Sequence, residues 1–542
     1  MNNLKYLCFY IIVLMLFILL CPSLISKSVL TFVTIAFLLL FFLNFGYEHK
    51  VMIICAMGML IIAGVSSLFG TPSKIVEHLS VTSYVLIFIA VTLHTIKFFN
   101  FNFIECKLVK NFLSIPDFFS NKYTLIKEYI IYLYILCAII FSFTFKLNNF
   151  LLIHVDEWFH IGMAKTILKS GYPSLEPWSS VIGVAGLEYF WHHLLAGWGW
   201  LTGNSLTGYM ALVPLMSVCA VLATYWFAKR WGKKVGLVAA LLVATLPANV
   251  TIGGMTMLLP MNLFFIFMPI CLKLAFDFDY NWYPMLFLIL FGLWWSHPPT
   301  AAIIAIVLGV YGLLKVRHSL KDAIYTLAPN FLAFGLTLPH LLSGLSTRTE
   351  ALSFDFWIQV PGLPVLYGLI PLAFFLIGVY AIFLKREDEE LSILISIIFL
   401  IGSILVYVNF GKTFLIPVNR IYIQVMALMT IISAIGFKWL WDFGKKERKN
   451  LLSLKAIAKL RRKVDIDVFV RNLRVILVVL LVVTAAKGVY DNVNTPYYQL
   501  INEQEYEDFL WIKENTPEDA VFMLDPWKAR PFYPITMRKV VS

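Results

Sequence analysis

Two adjacent carboxylates, Asp156 and Glu157, stand in the run His154-Val155-Asp156-Glu157-Trp158-Phe159-His160. Acids next to long apolar stretches are costly to keep and tend to mark a task. One of the pair can act as a general base that takes the proton of an attacking hydroxyl. The other can hold a divalent cation, magnesium or manganese, or orient an acceptor. A structural use is equally open, with Asp156 capping the helix that follows and Glu157 complementing its dipole. The two uses are compatible, because a capping Asp is rigidly held. His154 and His160 add further metal-ligand types, although their spacing around Trp158 is not that of a recognised metal site.

The stretch after the acids predicts an amphipathic helix. Phe159, Met163, Ile167 and Leu168 recur at helical spacing, Lys169 falls in the last turn, and Gly171 terminates it. The framework holding this helix is apolar. Of 542 residues, 60% are hydrophobic and 14% charged, where a water-soluble chain carries about a quarter. The apolar residues arrive in runs of about 17–25, enough to cross a hydrocarbon core of roughly 30 Å. Spans are predicted at 5–24, 28–46, 51–69, 80–99, 127–146, 205–228, 235–252, 256–276, 281–296, 299–315, 322–343, 364–384, 391–408, 418–437 and 475–490. The fold class is therefore an all-α polytopic transmembrane bundle of about fifteen spans. The first run follows only Lys5 and lacks a small-residue cleavage pattern, so it is expected to be retained in a multi-pass cell-membrane protein.

The net charge of +12 does not point to nucleic acid, because the basic residues concentrate in short loops between spans. That distribution sets membrane orientation. Lys438–Arg474, the KRWGKK turn at 229–234, Lys315–Lys321, Lys385–Arg386 and the stretch from Lys107 to Lys127 are expected to be cytoplasmic, together with the N-terminus. All of them stay inside only if Glu188–Leu201 is not a span. It is then an in-plane helix within one long outer loop, 147–204, whose polar side (His192, His193, Gly199) opposes Phe190, Trp191, Leu194, Leu195 and Trp198. The C-terminal tail, 491–542, is outside as well. Glu503–Asn515 reads as an amphipathic helix stopped by Thr516-Pro517, and Ala520–Leu524 as a buried strand. Some 50 residues are too few for an independent core, so the tail must pack on the loops unless the chain continues. The seven cysteines are scattered without a CxxC pair, which indicates neither a disulfide framework nor a zinc cluster.

In this order, the features resemble the GT-C superfamily of membrane glycosyltransferases, which includes protein O-mannosyltransferases, aminoarabinose transferases and oligosaccharyltransferase catalytic subunits. That superfamily places an acidic pair in the first long outer loop, matched here by Asp156-Glu157. Next, SGYPSLEPWSS and LEYFWHHLLAGWGWLTG resemble its Pro stretch and aromatic interfacial helix, and Lys229-Arg230-Trp231-Gly232 its cytoplasmic turn. EQEYEDFLWIKENTPEDAVFMLDP resembles the start of the extracytoplasmic domain that closes many members. The likeness covers approximately residues 127–542, leaving 1–126 as additional helices and 127–490 as the GT-C-like core. The chain departs where many members have Lys-Pro-Pro or Tyr-Pro-Pro, carrying Leu187-Glu188-Tyr189-Phe190 instead, and its tail stops where relatives commonly continue.

The resemblance implies a transferase that takes sugar from a polyprenyl-phosphate donor at the extracytoplasmic face, with inversion. Asp156 would be the catalytic base, and Glu157 an accessory acid or metal ligand. Phosphate contacts would come from cations on that face. Arg420 is the first choice, in IPVNRIYIQ after Pro417, where the superfamily has a late-helix Pro…Arg segment; an interfacial, snorkelling arginine is the alternative. Lys412 and Arg348 are further candidates, otherwise simple loop charges. His192, His193 and Glu188 on the interfacial helix and His297 before Pro298-Pro299 are candidate substrate contacts, and Asp355 a second acid. The acceptor is left open among glycan, lipid and protein. A flippase of lipid-linked glycans would bury ionisable residues mid-span and show repeated halves, neither of which is present; a non-catalytic subunit of an assembly complex is the other alternative.

Overall fold

Leucines and phenylalanines facing outward set the character of this molecule. In the computed structural model, Leu313 is 68% exposed and Phe331 64%, with Leu336, Ile398, Val408 and Val482 similarly bare. Side chains of this kind on helix after helix need an apolar surrounding. The structure describes residues 151, 154–172, 188–247, 254–277, 280–346, 363–410, 416, 418–446, 466–494 and 499–541. All belong to the second of two units, 126–542. The expected spans 5–24, 28–46, 51–69, 80–99 and 127–146 lie outside the described residues, as do Arg348, Asp355 and Lys412.

Sixteen helices follow in the described residues: α1 (Val155–Ser170), α2 (Tyr189–Leu201), α3 (Leu206–Met210), α4 (Leu212–Ala228), α5 (Lys233–Ala244), α6 (Leu263–Asp277), α7 (Tyr283–Ser296), α8 (Pro298–Val316), α9 (Leu320–Ser346), α10 (Leu363–Tyr367), α11 (Leu369–Lys385), α12 (Asp388–Phe410), α13 (Val418–Lys446), α14 (Ile466–Asn494), α15 (Glu503–Asn515) and α16 (Pro526–Thr536). Each of the ten expected spans from 205 onward contains a helix. Among the described residues, six segments are long and apolar enough to cross a bilayer: Leu206–Trp231, Pro260–Asp277, Pro298–Val316, Asp388–Phe410, Arg420–Asp442 and Asn472–Asn492. Tyr283–Ser296 and Leu369–Lys385 are shorter apolar helices. Of the expected span 235–252, the described residues run to 247 and are helical to Ala244, where Thr245 N–H bonds back to Leu241 O and Val243 O.

The centre of the bundle is α13, whose membrane-length segment is almost wholly buried. It packs on α5, α11, α12 and α14. Its closest neighbour is α11, and two glycines explain the approach. A Cβ on Gly436 would strike the Phe374 carbonyl, and one on Gly378 the Ile432 carbonyl. Small residues that let helix backbones touch are the usual substitute for hydrophobic drive where the solvent is itself apolar. Beside them, Ser433 Oγ donates to Pro371 O at 2.9 Å and pairs with Tyr367 Oη at 2.8 Å.

The two ends of the bundle differ in chemistry. At one, Arg230 bonds Glu389 at 2.6 Å and Asp277 at 3.2 Å, Arg317 pairs with Asp388, and Lys234 lies 3.5 Å from Asp442. At the other end stand α1, α2, the starts of α8 and α13, and the tail. In the tail, β1 (Val521–Met523) pairs in parallel with β2 (Lys539–Val541). The strand within Ala520–Leu524 is thus present but is not buried as expected, since Val521 and Met523 are exposed. A two-stranded sheet has only one face to cover, and here Phe522 meets Phe532 while its neighbours face out. The tail does not stand alone: α16 packs on α1.

Candidate active site

The first turn of α1 is capped by His154. Its Nδ1 accepts from Asp156 N–H at 3.1 Å, while its own N–H donates to Glu157 Oε2 at 3.0 Å. This reciprocal capping box leaves Asp156 free of the capping duty that the sequence had left open to it. Glu157 is fully buried, and its second oxygen accepts from Leu258 N–H at 2.6 Å. Both carboxylate oxygens are therefore engaged by backbone donors, one in its own helix and one in the turn before α6. Such a residue positions its neighbour. At the far end, Gly171 takes φ +86° and its N–H bonds Ile167 O, the terminator expected from sequence.

Asp156 faces a cationic surround. Arg420 Nη2 lies 3.6 Å from Oδ2, and Arg530 Nη1 lies 3.4 Å from Oδ1. His154 Nδ1 is 3.6 Å from Oδ2. Arg420 comes from the first turn of α13 and is steadied by Met261, whose sulfur is 3.0 Å from Nη1. Burial pushes the Asp156 carboxyl upward, but His154, Arg420, His160 and Arg530 together outweigh it and hold the group below its ordinary value. Arg has the planar fork that suits phosphate. Two guanidiniums sharing one carboxylate retain donors for a second anion.

Arg530 was not among the residues read from sequence. It sits in α16, whose start is marked by Asp525 accepting from Trp527 and Lys528 N–H at 2.9 and 3.2 Å. The helix is bound to α1 by Lys165 Nζ donating to Pro534 O at 2.7 Å, with Lys169 3.8 Å from Glu518. Within the tail, buried Arg538 donates to Lys513 O and Thr516 O, both at 2.7 Å, and so closes the end of α15. The local sequence marks the helix, but nothing in it says which helix lies opposite.

The remaining candidates separate. His192 was expected on a polar side of α2 opposed to Trp191 and Leu195. Instead the inward face is Trp191, His192, Leu195, Ala196 and Gly199, because packing against α1 and α7 selects one helical stripe irrespective of polarity. His192 Nε2 lies 3.0 Å from His160 Nδ1, and Glu188 Oε2 is 3.6 Å from that same nitrogen. Burial drives His160 down to about 3, against the pull of Asp156, and takes His192 well below the usual imidazole value, so both rings are neutral at physiological pH. His193 is engaged with its own helix, Nδ1 with Tyr189 O at 2.8 Å. His297 caps α8: its Nδ1 accepts from Thr300 N–H and pairs with Thr300 Oγ1 at 2.8 Å, and that hydroxyl accepts from Gln424 Nε2 at 2.8 Å. Among the described residues, the group with metal-ligand spacing is His160, Glu188 and His192. This group is distinct from the Asp156–Glu157 pair read from the sequence.

Fold and site together define a helical membrane protein with a carboxylate, two guanidiniums and two neutral imidazoles gathered at one end of the bundle. No family model and no curated protein matches the sequence. Solved structures do. Over 76% of this chain and 64% of theirs, it is similar to the archaeal oligosaccharyltransferase AglB from Archaeoglobus fulgidus in complex with an inhibitory peptide and a dolichol-phosphate, with 12% identity and a TM-score of 0.47. It is also similar to ArnT from Cupriavidus metallidurans bound to undecaprenyl phosphate, at 15% identity and a TM-score of 0.48, covering 75% of this chain and 84% of that one. The apo state of the same protein gives 14% identity and a TM-score of 0.43.

Proposed function

We propose that this chain is a membrane glycosyltransferase that takes sugar from a polyprenyl-phosphate donor, with Asp156 as the base. The observation that carries it is the placing of one carboxylate between two guanidiniums at a single end of an apolar bundle. A lipid-linked donor needs this pairing, with cations for a phosphate whose tail stays in the bilayer and a base beside them. The basic residues Arg230, Lys234, Arg317 and Lys438 lie at the opposite end, which the positive-inside rule assigns to the cytoplasm. Asp156 and the tail then face outward.

In the reaction the acceptor hydroxyl attacks the anomeric carbon from the side opposite the phosphate. The new C–O bond forms as the bond to the phosphate oxygen breaks, and the configuration inverts. The acceptor proton passes to Asp156, and polyprenyl phosphate leaves with the electron pair. Stabilising that leaving anion is the main electrostatic task, and it falls to Arg420 and Arg530. Both also resolve a difficulty, because a carboxylate clamped by two arginines is a weak base. When the donor phosphate draws the guanidiniums to itself, Asp156 regains basicity, and the base is armed only with donor bound. Glu157 holds the turn that presents Asp156.

The test is transfer from polyprenyl-phosphate sugars by the full chain reconstituted in lipid, with mass analysis of the product. Asp156→Asn is expected to fold normally and to lose about 100-fold or more in rate. Unchanged transfer in that variant would remove the proposed base.

A further inference from the structure

An apolar cavity of about 300 Å³ lies between α5, α10, α11 and α14, the size at which small-molecule sites begin. Its origin is local. α5 stops at Ala244 with Pro247 soon after, and α11 begins only after Gly368, whose φ is +90°. Two helices thus end where α14 passes. α14 is held close at that level: a Cβ on Gly488 would strike the Thr245 carbonyl, and Asn492 Nδ2 donates to Leu246 O at 3.1 Å. Leu242, Leu246, Leu366, Ile370 and Val483 line the space. The three hydroxyls on its wall are already engaged, Thr245 with Leu241 O at 2.9 Å, Thr484 with Leu480 O at 2.9 Å and Tyr367 with Ser433 Oγ at 2.8 Å. The interior therefore offers hydrocarbon contact and no open hydrogen-bonding group, which disfavours water or sugar inside it.

The charged members of the wall are Lys487 and Asp491, paired with each other one turn apart on α14. This helix faces the bilayer, with Val475, Ile476, Val479 and Val482 exposed along it. Arg474 lies over Trp441 at the basic end of the bundle. From there Lys487 is about 20 Å along the helix and Asp491 about 25 Å, toward the far polar edge of a hydrocarbon core of roughly 30 Å. We propose that the cavity binds one phospholipid of the phosphoethanolamine class, with an acyl chain inside and the head on Lys487 and Asp491. A head carrying one phosphate and one ammonium matches both charges, phosphate on Lys487 and ammonium donating to Asp491. A purely anionic head, polyprenyl phosphate included, would meet Asp491 with like charge. A quaternary ammonium has no N–H to donate. The place of the site gives it a use. α14 leads into the tail that carries Arg530, so a lipid seated against α14 steadies the helix from which the tail extends. The inference does not depend on the glycosyltransferase reading.

The experiment uses the full chain in detergent, washed free of lipid and titrated separately with phosphatidylethanolamine, phosphatidylcholine, phosphatidylglycerol and polyprenyl phosphate. Native mass spectrometry counts bound lipid, and thermal unfolding is followed in parallel. Phosphatidylethanolamine is expected to bind once per chain, about tenfold tighter than the other three, the scale of one hydrogen bond to a charged group. It should also raise the unfolding temperature. Val483→Trp fills the cavity from the lipid-facing helix and should lose the lipid, while Val482→Trp, at the exposed position beside it, should keep it. Asp491→Asn should erase the preference over phosphatidylglycerol. Should Val483→Trp not fold, Asp491→Asn decides, because a lost head preference in a monodisperse sample needs no change of the cavity. Equal binding of the four lipids by wild type, or undiminished binding in Val483→Trp, would leave a plain surface ion pair and overturn the site. A preference for polyprenyl phosphate would assign the cavity to the donor and overturn it as well. Asp156→Asn should bind phosphatidylethanolamine as wild type does, so this inference and the proposed base fail separately.

Discussion

Arg530 places its guanidinium 3.4 Å from Asp156 Oδ1 across 374 residues of chain. The contact makes the C-terminal tail a wall of the candidate site, because α16 rests on the same helix that carries the carboxylate. It also means that the cationic surround of Asp156 is assembled from two remote segments, the first turn of α13 and the middle of α16.

Arg530 should act with Arg420 on the donor phosphate. If both hold donor phosphate, Arg530→Ala is expected to slow transfer by about 10–100-fold, the scale of one charge-assisted contact. Arg530→Lys should recover part of the loss, because the point charge remains while the fork is gone. Steady-state rates against donor concentration check this. Equal rates in Arg530→Ala and wild type would confine the tail to a structural part.

The pH dependence has a determined sign. Asp156 sits below its ordinary value of 3.8 because the cations overcome burial. The acid limb of kcat/KM, which reports the free protein, should therefore fall below the usual carboxylate range. Arg530→Ala removes one of the lowering charges, so its limb should move to higher pH. The same depression stabilises the folded chain above pH 3.8 and loses that contribution as pH falls through the lowered value. A limb that moves to lower pH in Arg530→Ala would contradict the electrostatic picture.

Glu157 should behave as a structural residue. Glu157→Ala leaves the buried N–H groups of His154 and Leu258 without acceptors and is expected to cost about 2–5 kcal/mol. Thermal unfolding should show a large loss, with Glu157→Gln intermediate because its one carbonyl oxygen can serve only one donor well. Stability unchanged in Glu157→Ala would show that the turn before α6 does not depend on it.

Gly436 tests the bundle independently of the site. Gly436→Ala drives a methyl into the Phe374 carbonyl, and separating α11 from α13 is expected to cost about 1–3 kcal/mol. Gly402, where a Cβ meets nothing within 4 Å, is the matched control, and Gly402→Ala should leave the unfolding temperature nearly unchanged. A comparable loss in both would refute a specific close approach.

The helices of the bundle were legible in the sequence because their cause is local. Runs of apolar residues between charged turns predicted elements that the structure finds at 206–228, 298–316 and 388–410, with ends set by Gly232, His297-Pro298 and Asp388. The helix after Asp156 and its Gly171 terminator were equally local. So was the tail helix ending at Thr516.

Partners across the chain were not. The sequence could nominate Asp156 and Arg420 separately, and the structure brings them together; it also brings Arg530, from a tail for which the sequence named no partner residue. Glu157 carries the same carboxylate chemistry as Asp156, yet one residue of helical rotation turns it from the cationic surround to the backbone of a distant turn. His192 looked like the wet side of α2 until packing against α1 put it inside, beside His160. Hydrophobic periodicity is written residue by residue, so the chain alone determined where helices form and that they need an apolar medium. Which charges meet depends on how those helices pack, and only the tertiary structure decided that.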